Sequence, residues 1–291
     1  MSIDLIAARS FMAGHARVLD RRRFELLVDS SDAAPALAAL NAYRNPDGGY
    51  GHGLEPDLRG PESQPAAALH AFEVFADAAP VIAPEAAELC DWLEKISLPD
   101  GGLPLALPID DPSSSAPFWA NADPRASSLQ ITSIVAAHAN RVAAHDPAVA
   151  GHPWLARATS RCLAEIDALD AAPAAHVLAF CVRFLDAVHD RDPAAPALLA
   201  RLGAYVPGDG RVPVAGGLAG ESLRPLDLAP EPGPARTLLG EATVAADLER
   251  LAGEQHEDGG WSVDFQNYSP AATLEWRGYA TVRAVSVLRG A

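Results

Sequence analysis

The chain has few basic residues, and this shortage limits the partners that it can have. Its 291 residues include 22 lysines and arginines against 38 aspartates and glutamates, which gives a net charge of −16 at pH 7. Lys95 is the only lysine. Nucleic-acid-binding surfaces need a basic patch or stripe, and anionic membranes attract basic segments. We therefore expect neither nucleic acid nor an anionic lipid surface as a partner.

Signals for export and for membrane insertion are also lacking. The first residues, MSID, do not have the basic and then apolar pattern of a signal peptide, and no apolar run is long enough for a transmembrane segment. The three cysteines, Cys90, Cys162 and Cys181, are odd in number and lie in segments with a helical pattern. Buried free thiols are typical of reducing compartments, so the sequence predicts a cytoplasmic protein.

Strand-like alternation is almost absent, and no linker divides the chain. Ala- and Leu-rich segments instead have apolar residues at three- and four-residue spacing, which is typical of helices. Apolar residues make up 49 % of the chain, enough for the core of one domain over residues 1–291. The predicted helices include residues 64–78, 84–96, 127–144, 153–167 and 173–188.

A repeated Asp-Gly-Gly turn is the most informative feature that the chain does have. It occurs in residues 45–50 (NPDGGY), 98–103 (LPDGGL) and 255–261 (QHEDGGW), and residues 208–212 (GDGRV) are a degenerate copy. The aspartates are about 53, 109 and 49 residues apart, close to one, two and one units of fifty. Glycine accepts positive φ, and aspartate bonds to the backbone just beyond it. Two helices and a turn fill such a unit, so we expect 10–12 helices arranged as hairpins.

These turns resemble the QW-type repeats of the terpenoid cyclase and protein prenyltransferase superfamily. Residues 255–261 match the Gln, Gly and Trp of that repeat, whereas the other copies match only in Asp-Gly-Gly. The resemblance implies an all-α fold, an α/α toroid of inner and outer helices around a central cavity, similar to bacterial single-toroid proteins with squalene-cyclase repeats. It also implies a small hydrophobic ligand such as an isoprenoid, and an activity of the terpene-cyclase-like lyase or isomerase type.

The motifs that start the chemistry in that superfamily are missing. Class II cyclases use Asp-x-Asp-Asp, and the nearest string, IDDP at residues 109–112, lacks the first aspartate. Class I synthases bind magnesium through Asp-Asp-x-x-Asp, and residues 110–114 (DDPSS) lack the aspartate at the fifth position. None of the three cysteines has the zinc-binding context of the protein prenyltransferases. We therefore expect no metal and no cofactor, so any catalysis would be metal-free.

Residues 52–64 (HGLEPDLRGPESQ) form the densest polar segment, and they supply the candidate catalytic residues Glu55, Asp57 and His52. Glu55 and Asp57 are two residues apart, so in an extended segment their side chains face the same way. Two carboxylates in one pocket push their pKa values apart, which suits a general acid. His52 and Arg59 would tune that acid. Alternatively, the two carboxylates cap helices and pair with Arg59.

A second polar segment follows the last turn and contains Asp264, Glu275, Trp276 and Arg277. Glu275 and Arg277 either form a structural ion pair that closes the ring or bind a polar group of the substrate. Aromatic residues near turns would form an apolar wall, since aromatic faces stabilise cations and stack on sugars. The candidate substrate-binding residues are Arg59, Tyr50, Trp119, Asp123, Trp261, Asp264, Glu275, Trp276 and Arg277.

Two other functions fit the same residues. A glycan-processing toroid enzyme would use paired carboxylates and stacking aromatics on an oligosaccharide, and a non-catalytic binding or scaffold protein would need no initiating motif. The remaining histidines, among them His70 and His138, lack metal-ligand spacing and are interpreted as core or surface residues. The sequence does not indicate an oligomeric state.

Overall fold

A computed structural model describes residues 3–290, and over this range the chain is all-α, as predicted. The strands there are one antiparallel pair of two residues each, β1 (Val212–Pro213) and β2 (Ser222–Leu223). Met1, Ser2 and Ala291, at the ends of the predicted domain, lie outside the described residues.

Fifteen α-helices occur in residues 3–290, more than the 10–12 predicted. The long ones are α1 (Leu5–His15), α2 (Val18–Asp29), α3 (Ala34–Leu40), α4 (Pro65–Asp77), α5 (Pro84–Ile96), α7 (Leu129–Val142), α9 (Pro153–Asp167), α10 (Ala175–Val188), α11 (Ala195–Gly203), α14 (Glu241–Gly253) and α15 (Pro270–Arg289). The excess comes from short helices in connecting segments, which are too short for an apolar period: α6 (Pro117–Ala120), α8 (Pro147–Ala150), α12 (Pro225–Leu228) and α13 (Pro234–Leu239).

The five helices predicted from apolar spacing are all present as α4, α5, α7, α9 and α10, within two residues at each end. Proline sets the starts of several of them. Pro65, Pro84 and Pro153 each occupy the first position of a helix, where the amide hydrogen that proline lacks would have no partner in any case. α10 is an exception, because it begins at Ala175, two residues after Pro173.

The four repeat turns share one local structure, including the degenerate copy. Each has a glycine with positive φ, between 71° and 94°. In each, the aspartate side chain accepts a hydrogen bond from the amide two residues later. The donor–acceptor pairs are Gly49–Asp47 (2.9 Å), Gly102–Asp100 (3.0 Å), Arg211–Asp209 (3.1 Å) and Gly260–Asp258 (3.0 Å). The predicted turn geometry is therefore confirmed at all four positions.

In two of the turns the next residue fastens the turn to a helix. Leu103 and Trp261 are buried, and their amides donate to the hydroxyls of Thr132 on α7 (2.9 Å) and Thr281 on α15 (3.1 Å). Gly259 shows how closely a turn approaches its neighbour. Its φ is 92°, and a Cβ there would lie 2.1 Å from the carbonyl carbon of Ala7 on α1. Only glycine fits at this point.

The helices contact one another in a cyclic order, in which the short helix α12 is one member. α2 contacts α4, α4 contacts α7, α7 contacts α10 and α10 contacts α12. α12 then contacts α14, α14 contacts α15, and α15 contacts α2 and α1. α5, α9 and α11 contact α4, α7 and α10 respectively. The last helix of the chain therefore lies against the first two.

The largest hydrophobic core lies among the helices from α2 to α13, and a second one joins α1, α2 and α15 around Phe11, Phe24 and Trp261. Cys90, Cys162 and Cys181 are buried free thiols, as predicted. No helix in residues 3–290 is both long and apolar enough to cross a lipid bilayer.

Candidate functional site

Glu55 and Asp57 lie side by side in the segment that precedes α4. Both are buried, with 5 % and 3 % of their surface exposed, and the Asp57 amide donates to Glu55 Oε1 at 3.1 Å. The Asp57 carboxylate accepts from the indole nitrogen of Trp276 at 2.8 Å and from the Tyr268 amide at 3.4 Å. The structure therefore brings together three of the candidate residues, although Trp276 is more than two hundred positions from the other two in the chain.

Two further candidates, Arg59 and Glu275, form an ion pair beside this group. Arg59 Nη2 lies 3.2 Å from Glu275 Oε1, and Nη1 bonds to the other carboxylate oxygen. This pair joins the segment before α4 to α15. Arg59 thus pairs with Glu275 and not with Glu55 or Asp57, the partners considered from the sequence.

His52, predicted to tune the acids, lies apart from them. Its side chain is exposed, and Nε2 lies 2.9 Å from Asn45 Oδ1 in the first repeat turn. The backbone explains this position, because His52 has a φ of 56° and the following Gly53 a φ of 72°. Two consecutive residues with positive φ turn the chain, so the side chain of His52 stays with the turn while Glu55 enters the interior.

The remaining candidates lie at several separate places. Arg277 pairs with Asp258 at 2.8 Å and covers the ring of Phe11, so it holds the last turn against α1. Asp123 pairs with Arg125 on the surface. Asp264 lies 3.7 Å from Arg224. The other three are buried aromatics: Trp261 lies in the second hydrophobic core, and Tyr50 and Trp119 lie in the largest one.

The histidine beside Glu55 is His70 on α4, one of the histidines that the sequence predicts to be core or surface residues. Its Nε2 lies 2.9 Å from Glu55 Oε2, and its Nδ1 lies 3.1 Å from Glu73 Oε2. Burial alone would lower the pKa of His70, but hydrogen bonds to Glu55 and Glu73 outweigh burial and raise the pKa to about 9. At neutral pH His70 is therefore an imidazolium between two carboxylates.

Glu73 connects this group to two other helices. Its Oε1 accepts from the hydroxyl of Tyr279 on α15 at 2.7 Å, and its Oε2 lies 3.6 Å from Arg23 on α2. Burial raises the pKa of Glu73, but the bond to His70 and the charges of His70 and Arg23 outweigh it and hold the pKa well below its usual range. Glu73 is therefore ionised although it is buried.

His138 on α7 and Arg183 on α10 continue the polar chain. His138 Nε2 lies 3.8 Å from Glu73 Oε1 and accepts from Arg183 Nη2 at 3.1 Å. Burial and the charge of Arg183 keep the pKa of His138 well below its usual value. His138 is therefore a neutral imidazole, in contrast to His70.

These side chains reach a cavity of about 250 Å³ between α2, α4, α7, α10 and α15. Glu73 borders the cavity, whereas Glu55 and Asp57 are not among its lining residues. Pro230 and Pro232 border it from the segment before α13. Its charged and hydrogen-bonding lining includes Arg23, Glu73, Asp77, His138, Arg141, Arg183, Glu231, Tyr279 and Arg283.

A sequence signal for the missed residues does exist. His70 and Glu73 are three apart within AAALHAFEVFA, and His138 interrupts the apolar run IVAAHA. A polar residue inside the apolar stripe of a helix faces the core, where it needs a hydrogen-bonding partner. Metal-ligand spacing does not capture this pattern.

No protein-family model matches the chain, and a comparison with curated proteins finds no relative. Residues 3–290 contain no group of three or more His, Cys, Asp or Glu side chains placed to hold a metal ion. The candidate site is therefore defined by its own geometry.

The raised pKa of His70 predicts a specific pH dependence of stability. Because this pKa rises from 6.5 to about 9 on folding, its stabilising contribution is complete below about pH 6.5 and is lost as the pH rises through 9. The free energy of unfolding of the natural protein, relative to His70→Gln, should fall by about 3 kcal/mol over that window. Urea denaturation at several pH values measures this difference. His15→Gln, at an exposed histidine, is the control, and parallel curves for the natural protein and His70→Gln would refute the charged imidazole.

Proposed function

We propose that the helices form a closed α/α toroid and that the protein binds a small polar molecule in the cavity at its centre. The order of helix contacts supports the ring, because the series from α2 to α15 returns to α2. The position of the cavity supports it as well, since the cavity lies among five helices of that series. The four equivalent turns support it too, because an array of repeated helical hairpins places its turns at a regular spacing.

The charged lining of the cavity is the main observation in favour of a polar ligand. Four arginines and three carboxylates border a space of about 250 Å³. An apolar ligand there would displace water from these groups without replacing its hydrogen bonds, at about 1–3 kcal/mol for each group left unpaired. A polar ligand replaces those bonds. The isoprenoid implied by the resemblance fits this lining less well, so a polar molecule is the main proposal.

The volume limits the size of the ligand. Cavities that hold drug-sized molecules measure about 300–1,000 Å³, and the space here is below that range at about 250 Å³. The cavity therefore suits a compact metabolite or a single sugar unit better than an oligosaccharide or a long isoprenoid chain.

A substitution at the cavity edge tests this proposal. Ser286 borders the cavity from an exposed position on α15, so tryptophan there (Ser286→Trp) should obstruct the space, whereas Ser286→Ala leaves it open. We expect at least one of inorganic phosphate, succinate and D-glucose to bind the natural protein and Ser286→Ala. Its affinity for Ser286→Trp should be at least about tenfold weaker, because the contacts that it makes are lost.

Ligand-observed NMR with these probes and with geraniol separates the outcomes. Binding of a polar probe that only Ser286→Trp loses supports the proposal. Binding of geraniol alone favours an isoprenoid ligand. If no probe binds the natural protein, or if Ser286→Trp binds as well as Ser286→Ala, the proposed function is wrong.

Acid chemistry at Asp57 is a second candidate function, and one observation favours it. Burial raises the pKa of the Asp57 carboxyl, and the hydrogen bond from Trp276 only partly opposes the rise. The ring of Trp276 also contacts Phe265 and Tyr279 with centroid distances of 5.1 and 5.4 Å. A proton donor beside aromatic rings suits the metal-free cyclisation of an isoprenoid or the protonation of a glycosidic oxygen.

Replacing Asp57 with asparagine tests this second function. Turnover of an epoxide of farnesol, or of p-nitrophenyl glycosides, should fall at least about 100-fold in Asp57→Asn, the usual loss when a general acid is removed. Asp110→Asn removes an exposed carboxylate and serves as the control. Chromatographic detection of products measures the cyclisation, and nitrophenol release measures the hydrolysis. Equal turnover in Asp57→Asn and the natural protein would exclude Asp57 as the acid.

A further inference from the structure

Three of the four cavity arginines have carboxylate partners. Arg23 donates to Asp77 at 2.8 Å, and Arg283 donates to Asp227 at 2.8 Å. Arg141 forms a two-pronged pair with Glu231, in which Nη2 lies 2.7 Å from Oε2. The charges of these arginines are therefore already balanced by the chain itself.

Arg183 differs from the other three. Within residues 3–290 no carboxylate oxygen lies within 4.0 Å of its guanidinium group. Its one side-chain partner there is the neutral imidazole of His138, at 3.1 Å. Its Nε is buried and has no hydrogen-bond partner in the described part of the chain.

The surroundings of Arg183 supply no direct anionic partner for its charge. Burial lowers the pKa of Arg183, the charge of Glu231 opposes this shift, and the charges of Arg141 and Arg283 act in the same direction as burial. The guanidinium nevertheless remains protonated, since an arginine is not deprotonated in proteins. An isolated cation in a low-dielectric interior is costly unless an anion pairs with it.

We infer that the cavity binds an anionic oxygen group, a carboxylate or a phosphate, and that Arg183 is its principal contact. Arg183 borders the cavity, and the guanidinium fork matches the two oxygens of either group. Tyr279 also borders the cavity. This assignment rests on the proposed function and specifies the chemical class of its ligand.

The overall charge of the protein makes anion binding informative. With a net charge of −16, the chain repels anions at long range. Saturable binding of a small anion would therefore report on a specific local site and not on general attraction.

Calorimetric titration with inorganic phosphate, succinate and D-glucose tests the assignment on four proteins. These are the natural protein, Arg183→Gln, Arg183→Lys and Arg250→Gln, the last of which removes an arginine on α14 outside the cavity. We expect phosphate or succinate to bind the natural protein and Arg250→Gln equally. Affinity should fall at least about tenfold in Arg183→Gln, as when one charge-assisted bond is lost, and less in Arg183→Lys. The two anions distinguish a phosphate ligand from a carboxylate ligand.

Thermal denaturation separates loss of binding from loss of folding. Because Arg183→Gln removes a charge that has no carboxylate partner, its Tm without ligand should equal or exceed that of the natural protein, and added anion should no longer raise it. A large drop in Tm without ligand would assign Arg183 a structural role and overturn the inference.

Two further outcomes distinguish the inference from the proposed function. In the first outcome, Ser286→Trp prevents glucose binding, and either neither anion binds or Arg183→Gln does not weaken anion binding. The cavity then takes a neutral polar ligand, so the inference fails while the proposed function stands. If no probe binds the natural protein, both fail.

Discussion

A buried imidazolium held between two carboxylates is the interaction on which the interior of this protein depends. His70 lies between Glu55 and Glu73, and all three are at least nine-tenths buried. Removing one member of such a group leaves an uncompensated charge and costs about 3–5 kcal/mol. Through Glu73 the group reaches Tyr279 on α15 and Arg23 on α2, so it connects helices from both ends of the chain. These bonds therefore link α15 to α2, and they also hold Glu73, one of the charged residues that border the cavity.

Much of the fold could be predicted because its signals are local. Pro65 and Pro84 mark the starts of α4 and α5. The apolar residues that follow each proline at helical spacing indicate how far the helix extends. The turns are equally local, since Gly259 must be glycine to accept positive φ next to Ala7. Even the degenerate turn at Asp209 keeps the hydrogen bond of the complete copies. The short helices, such as α12, could not be predicted because four residues do not establish a period.

The site was only partly predictable, because it is made by residues from distant helices. The spacing of Glu55 and Asp57 predicts that they lie close together, and they do. It does not predict their partners. His52 is the nearest histidine in sequence, yet its positive φ keeps it at the turn, and His70 on the next helix takes its place. Apolar periodicity indicates that His70 faces the core, but it does not indicate which side chains other helices present there.

The protonation state of His70 tests this account most directly. Nitrogen chemical shifts of the His70 ring can be followed by NMR from pH 6 to pH 10, with assignment by comparison with His70→Gln. The account predicts that both ring nitrogens carry protons at pH 7 and that the ring titrates near pH 9, above the ordinary value of 6.5. A neutral ring with one protonated nitrogen at pH 7 would contradict it, since the two carboxylates would then lack the cation that holds them together.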